Sequence, residues 1–295
     1  MKITNVQNLP QAIVNAVIND PYDGKGSDIS ATRLLAPPRI NILTKKHWNE
    51  LEEDASDRIF SLLGQSVHHI IERAAQDGDL SEERMFVNNE HTNKWVVSGQ
   101  FDYLTKEGEL IDFKTTSAWA VVDALKNGKK EWEAQLNILD WLIRHSEKKL
   151  PIKVKSLSIV AILRDWSKMK ALTSVDYPKQ QVVTLPITMW SDEEQDAYVK
   201  GRVALHQSAA LQDEPPICSP EERWNKPDTY AVMKDGRKFA VRLLPSMDAA
   251  KEFIKANGMS EGKGSKIVLR AGEDTRCAHY CAVRDYCTHW TKVSF

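Results

Sequence analysis

The stretch GELIDFKTT at 108–116 places an acid and a base two residues apart, Asp112 and Lys114. In a strand, residues i and i+2 face the same way. Asp112 and Lys114 therefore project together, and Ile111 and Phe113 project oppositely. A carboxylate beside an ammonium is either a plain surface ion pair or half of a site that binds a cation, directs a water and offsets negative charge. A second acid comes from the preceding strand candidate, KWVVSGQFDYLT. With Lys106, Glu107 and Gly108 as a three-residue loop, Thr105 faces Glu109. Asp102 then lies opposite Asp112, and Gln100 opposite Lys114. Direct cross-strand neighbours are about 4.5–5.5 Å apart at Cβ. Carboxylates that close repel unless a cation lies between them, and Mg²⁺ prefers such oxygen ligands. Phe101, Tyr103, Ile111 and Phe113 form the apolar reverse face. A turn one residue longer or shorter would exchange the faces. The alternative is an exposed polar sheet face on which Lys114 neutralises Asp112.

The flanking pattern supplies elements to hold this hairpin. Residues 45–77 read as helical, in two helices, with Ile59, Leu62, Leu63, Val67, Ile70, Ile71 and Ala74 on one apolar face. Strands are expected at 84–90, 94–105 and 108–116, as an antiparallel meander. Helices follow at 118–127 and 130–146, a strand at 155–163, a loop to about 179 and a strand at 181–188. A helix at 191–211 opens with a Ser191/Glu194 capping box. PYDGKG at 21–26 reads as a loop, and Pro37-Pro38 breaks any helix there. After the prolines at 215–216 a small unit spans 228–271: a hairpin turning at Asp235-Gly236, a helix and a strand. The order implies an α/β fold, a mixed sheet flanked by helices. Residues 1–213 form the larger domain, and 214–295 a small α+β region.

Hydrophobic residues are 42% of the 295 and charged residues 27%, within the range of a folded globular chain. No apolar run reaches the roughly 18–20 residues of a membrane helix, and the first twenty residues lack a secretory-signal pattern. A cytoplasmic location is expected. The net charge of −1 excludes nucleic-acid binding through bulk positive charge. A nucleic-acid partner would need a local patch, a metal or another protein. Four cysteines occur, Cys218, Cys277, Cys281 and Cys287, the last three within TRCAHYCAVRDYC. In a cytosolic chain such clustering points to metal more than to disulfides.

GQFDYL, LIDFKTT and EAQLNIL together resemble the PD-(D/E)XK nuclease superfamily, in its RecB-type branch. Gly64 and His68 fit the branch's helical G-x-x-x-H, Gly99 and Asp102 its G-x-x-D, and Asp112 and Lys114 its D-x-K. Gln135 opens the Q-x-x-x-Y helix, but Leu139 stands where tyrosine is usual, and the nearest large aromatic is Trp141. The resemblance spans about 60–165. It implies a restriction-endonuclease-like core in which Asp102, Asp112, the Phe113 carbonyl and His68 bind Mg²⁺ or Mn²⁺. Lys114 would handle the attacking water, and Gln135 would position Lys114 or substrate. The implied activity is phosphodiester hydrolysis in DNA, as an exonuclease on linear or single-stranded substrate. The implied setting is recombination, repair or replication, phage-encoded, with a possible protein partner and no membrane. Rival readings are a CRISPR-adaptation-like or structure-specific endonuclease, and a non-catalytic DNA-binding or scaffold module.

The cysteine tail is similar to that of iron–sulfur nucleases in the same superfamily, which implies a [4Fe–4S] cluster on Cys218, Cys277, Cys281 and Cys287. The C-x₃-C-x₅-C spacing departs from the usual C-x₂-C-x₅-C, and Cys218 follows the core where the family's lone cysteine precedes it. Structural Zn²⁺ is the alternative, with His279 or His289 able to replace a thiolate. His69 and Glu72 adjoin His68 and read as surface residues, Glu72 with a possible supporting role. Trp119 could stack on a base and the lysines of KNGKK (126–130) and KKLPIKVK (148–155) could contact phosphates, against the plainer readings of a core or cap residue and a solvated face; Arg164, with Asp165 and Trp166, ends a strand and could face the cleft. No phosphate-loop motif is present, which excludes an ATP-driven motor in this chain.

Overall fold

The computed structural model of the protein describes residues 1–19, 26–262 and 264–293, so the loop expected at 21–26 lies outside them except for Gly26. The chain divides into two units, one of residues 1–42 and 48–215, the other of 43–47 and 216–295.

In the first unit β1 (Lys2–Thr4), α1 (Gln11–Ile18), β2 (Ile29–Ser30) and α2 (Ala31–Leu35) precede α3 (Pro38–Lys46), which runs on into the second-unit segment at 43–47. Then come β3 (Glu52–Asp54), α4 (Ile59–Glu72), β4 (Leu80–Val87), β5 (Val97–Leu104), β6 (Glu109–Thr116), α5 (Ala118–Asn127) and α6 (Lys130–His145). β7 (Ser156–Leu163), α7 (Lys168–Thr173), β8 (Val182–Ile187) and α8 (Asp192–Ala210) complete it. The fold is a mixed α/β sheet with flanking helices. β5 pairs antiparallel with β4 along one edge, from Leu80↔Leu104 to Val87↔Val97. On its other edge its start pairs parallel with β2, Ser30 opposite Ser98, and its end antiparallel with β6, Tyr103 opposite Ile111. Residues 99–102 lie in the notch between these two partners. β6 runs parallel to β7 over its full length, and β7 antiparallel to β8.

Two features lock the notch. Ten residues of α6 are buried, among them Leu136, Leu139, Trp141 and Leu142, so it is a core helix. Gly99 allows its close approach: a Cβ there would lie 2.6 Å from Leu142 Cδ1 and 2.8 Å from Leu139 Cδ2. This close approach gives the glycine of G-x-x-D a steric reason. α4 behaves differently. None of its residues is buried, and Phe60, Leu63 and Ile70 are exposed. The apolar face expected there is not a core face; Leu62 alone joins the small cluster of Val14, Val17 and Ala55.

Other expectations need correction. The helical pattern at 45–77 yields the end of α3, a short 3₁₀ helix at Ala55–Arg58 and one long helix, α4. Residues 52–54 instead form β3, parallel to β1, a long-range pairing that local periodicity does not reveal. Pro38 starts α3 rather than preventing a helix, since a first-turn proline loses no intrahelical bond. The segment expected as loop to 179 holds α7, capped by Ser167. Both members of the Ser191/Glu194 capping box are formed.

The second unit holds β9 (Asn225–Lys226), β10 (Thr229–Lys234), β11 (Arg242–Leu244), α9 (Met247–Ala256), β12 (Ser260–Glu261), β13 (Gly264–Arg270), β14 (Glu273–Asp274), α10 (Thr275–His279) and α11 (Thr288–Val293). Its sheet order is β11-β10-β13-β12, and Val232, Ala250 and Ile254 pack between sheet and α9. Gly236 takes the expected positive φ of 76°, with Arg237 N–H on Lys234 O. The hairpin is nonetheless longer than a two-residue turn, because pairing resumes only at Val232↔Arg242. Among the described residues no helix is long and apolar enough to cross a membrane.

Candidate active site

The hairpin turn forms as its residue types require. Gly108 has φ 98°, its N–H reaches Thr105 O at 2.9 Å, and Thr105 N–H reaches Glu109 O at 3.0 Å. The register is the expected one at Tyr103↔Ile111 and Leu104↔Leu110, and there the ladder stops. Asp102 Oδ2 accepts the Phe113 N–H at 2.8 Å, a side chain in the place of a backbone partner. The strands separate at this point, so Gln100 does not meet Lys114. Gln100 donates instead to Glu82 Oε2 at 2.6 Å and accepts from Arg84 at 3.1 Å. The face assignment also changes along β6. Leu110 and Asp112 are buried, whereas Ile111 and Phe113 are half-buried. The acidic face of β6 is thus an inward face, reached by Gln135 of α6.

Asp112 is 1% exposed. Its Oδ1 accepts from Gln135 Nε2 at 2.8 Å and from Lys114 Nζ at 3.0 Å, and Gln135 Oε1 accepts from Lys114 at 3.2 Å. Oδ2 lies 2.8 Å from Lys114 Nζ, but outside hydrogen-bonding geometry, and this buried oxygen has no hydrogen-bond partner. Burial pushes the Asp112 carboxyl up to about 6, and the Asp102 charge adds to the rise against the pull of Lys114. A buried carboxylate oxygen that meets only the Lys114 charge and no hydrogen-bond donor suits a cation ligand.

His68 enters from α4. Its Nε2 lies 3.2 Å from the Phe113 carbonyl oxygen, and its Nδ1 lies 3.2 Å from Glu82 Oε1 and 3.4 Å from Asp102 Oδ1. Asp102 and then Glu82 push His68 up to about 10, against its partial burial. His68, Glu82 and Asp102 each offer a ligand atom within 4.8 Å of the others. All these groups line one cleft of about 770 Å³, with Ser30 and Ala31 at the β2 side of the notch. Asp102, Asp112, the Phe113 carbonyl, His68, Lys114 and Gln135 are therefore brought together. The residues present fit a divalent cation: hard oxygen donors and one imidazole.

Glu82, Arg84 and Gln100 share the cleft although none belongs to the motifs of the resemblance. The only signal was a like-charge pair across strands, Glu82 facing Asp102. It was hidden because β4 begins at Leu80 rather than 84. Gly64 has Thr115 Oγ1 3.5 Å from its would-be Cβ, an ordinary contact, so packing does not demand glycine there. Leu139, in the place of tyrosine, is buried against the Gly99 approach, and Trp141 is wholly buried with its indole N–H on Asp196. Neither is placed to stack on a ligand. His69 and Glu72 form an exposed pair at 3.4 Å. Trp119 is exposed and edge-on to Tyr177, and Arg164 lies over the Phe60 ring. Asp165 caps α5 through the Ala118 N–H, and Trp166 bonds Pro178 O. In the lysine clusters Lys126 pairs with Asp176 and Lys148 with Glu83.

The four cysteines lie in the second unit, all half-buried and none in a disulfide. Burial pushes Cys218 up to about 12, helped by Glu222 and by the other three cysteines, and Cys277 to about 11. His279 and His289 are engaged by carboxylates, Glu273 at 3.0 Å and Asp274 at 3.2 Å.

No protein-family model matches the chain, and no curated protein matches it. Among solved structures it is similar to that of SSO0001, at 15% identity over 74% of this chain and 91% of that one, with a TM-score of 0.47. It is also similar to an alkaline exonuclease, LHK-Exo from Laribacter hongkongensis, at 13% identity over 61% and 85% of the two chains, with a TM-score of 0.37. For LHK-Exo in complex with dAMP the values are 14%, 61%, 86% and 0.38.

Proposed function

We propose that the protein is a divalent-metal-dependent deoxyribonuclease with a PD-(D/E)XK-type core. One observation carries the reading. The buried Asp112 carboxylate is pinned by Gln135 and Lys114, and its donorless oxygen shares a cleft with Asp102, the Phe113 carbonyl and His68. In this reading those four groups hold Mg²⁺ or Mn²⁺, which supplies Lewis acidity and a more acidic bound water. His68 must release its proton from Nε2 to take part. Lys114 has three N–H donors and spends two on Asp112 and Gln135. The third is left for the attacking water or a phosphate oxygen, where it offsets the negative charge that develops. Gln135 bonds both Asp112 and Lys114 and so fixes their relative positions. Hydrolysis adds water across one P–O bond, leaving a phosphomonoester and a hydroxyl.

The form we propose is exonuclease action on linear or single-stranded DNA, in recombination, repair or replication, by a phage-encoded protein working with a partner. Linear and closed-circular DNA incubated with Mg²⁺, Mn²⁺ or EDTA test it. Metal-dependent loss of the linear forms alone is expected. Nicking of the circle would replace exonuclease by endonuclease, and binding without cleavage would leave a binding module.

For Cys218, Cys277, Cys281 and Cys287 we propose a [4Fe–4S] cluster rather than Zn²⁺. Four half-buried thiols within one unit, with Cys277, Cys281 and Cys287 each adding to the rise of Cys218, support a shared cation that would draw off their protons. Anaerobically purified protein should then be brown. A colourless preparation with stoichiometric zinc would assign zinc instead.

A further inference from the structure

We infer that Glu82 is a positioning residue of the metal site, the carboxylate that sets the orientation and tautomer of His68; the inference rests on the metal-centre reading above. Three observations converge on it. Glu82 is opposite Asp102 in the β4–β5 register, yet only its neighbours pair, Ser81 with Tyr103 and Glu83 with Phe101. The reason is its backbone. Glu82 has φ 51°, a left-handed conformation inside a strand, disfavoured for any residue with a Cβ. Such conformations persist where surrounding structure imposes them and cluster at functional sites.

The turned backbone serves a contact. Glu82 Oε1 lies 3.2 Å from His68 Nδ1, and Oε2 accepts from Gln100 Nε2 at 2.6 Å. Gln100 is itself fixed, its Oε1 accepting from Arg84. Arg84, Gln100 and Glu82 thus form a chain that ends on the imidazole. The opposite ring nitrogen, Nε2, faces the Phe113 carbonyl at 3.2 Å, on the side assigned to the cation. A carboxylate on the outer nitrogen keeps the proton on Nδ1 and the lone pair on Nε2, as metal-bound histidines generally require. Asp102 lies 3.4 Å from the same Nδ1, but its other oxygen holds the Phe113 N–H. Glu82 divides its oxygens between His68 and Gln100, and its function is to aim the ring.

The test is calorimetric titration of Mn²⁺ into the full chain and its Glu82→Ala, Glu82→Gln, Glu82→Gly and Asp112→Ala variants, with a thermal melt of each metal-free form. Glu82→Ala should weaken Mn²⁺ binding roughly 10–100-fold. Glu82→Gln, which still accepts from Nδ1–H, should recover most of the loss. Glu82→Gly suits the left-handed backbone, so it should melt no lower than Glu82→Ala while binding Mn²⁺ as weakly. Glu82→Ala binding within about twofold of wild type, while Asp112→Ala binds none, would overturn this inference alone. A loss in both Glu82→Ala and Glu82→Gln as complete as in Asp112→Ala would make Glu82 a direct ligand and overturn the positioning role. Wild type that binds no Mn²⁺, or Asp112→Ala that binds it as tightly, would overturn the metal-centre reading itself.

Discussion

The Asp102 carboxylate accepts the backbone N–H of Phe113 at 2.8 Å, taking the place of a strand partner at the point where β5 and β6 separate. The same bond that opens the cleft fixes an acid at its edge. Asp102→Asn keeps an oxygen acceptor for that N–H and should fold with a melting temperature close to wild type. Asp102→Ala should melt lower. Both should lose cleavage by roughly 10²–10³-fold. Circular-dichroism melts beside single-turnover assays check the split.

Gln135 is the only side chain bonded to both Asp112 and Lys114 among the hydrogen bonds described for the site. Gln135→Leu keeps its bulk and removes a donor from a buried carboxylate, at a cost of about 1–3 kcal/mol in urea unfolding. It should lower kcat by about 10–100-fold with little change in KM. A change confined to KM would assign Gln135 to substrate binding.

The two glycines of the resemblance should behave oppositely. Gly99→Ala drives a methyl to 2.6 Å from Leu142 and should destabilise the fold by about 1–3 kcal/mol. Gly64→Ala meets only an ordinary contact within a helix and should stabilise it by about 0.5–1 kcal/mol. Equilibrium unfolding in urea measures both. If Gly64→Ala also loses cleavage, the α4 glycine serves close approach of substrate rather than packing.

The metal-free protein should lose stability as pH rises. His68 is raised in the fold to about 10, so its contribution is fully present below the unfolded value near 6.5 and fades as pH climbs through 10. Asp112, raised to about 6, acts with the same sign between its unfolded value near 3.8 and 6. The melting temperature of EDTA-treated wild type relative to His68→Ala should therefore shrink from pH 6.5 to 10. A difference independent of pH over that window would show that His68 carries no extra proton in the fold.

The reactive hairpin was legible because its turn is local. Gly108 at φ 98° and a three-residue loop fix the pairing of Tyr103 with Ile111, where the ladder ends, so Asp102 and Asp112 share the cleft without forming a strand pair. α6 was legible as a helical pattern, and Gln135 only through the resemblance of EAQLNIL to the Q-x-x-x-Y helix. The paired register ends before Asp102 and Asp112 and so never reaches Gln100 and Lys114, because the Asp102 side chain takes the Phe113 N–H in place of a backbone partner. Glu82 was illegible for a related reason: its left-handed backbone is imposed by neighbours distant in sequence. The exposed apolar residues of α4 carried a core pattern without a core, since periodicity records which residues share a face and not what covers it.

The central claim is that Asp112 belongs to a metal site that hydrolyses DNA. End-labelled linear DNA should be cleaved by wild type with Mg²⁺ or Mn²⁺ and not with EDTA. Folded Asp112→Ala should leave it intact under every condition. Cleavage by Asp112→Ala at the wild-type rate, or by wild type in EDTA, would contradict the account.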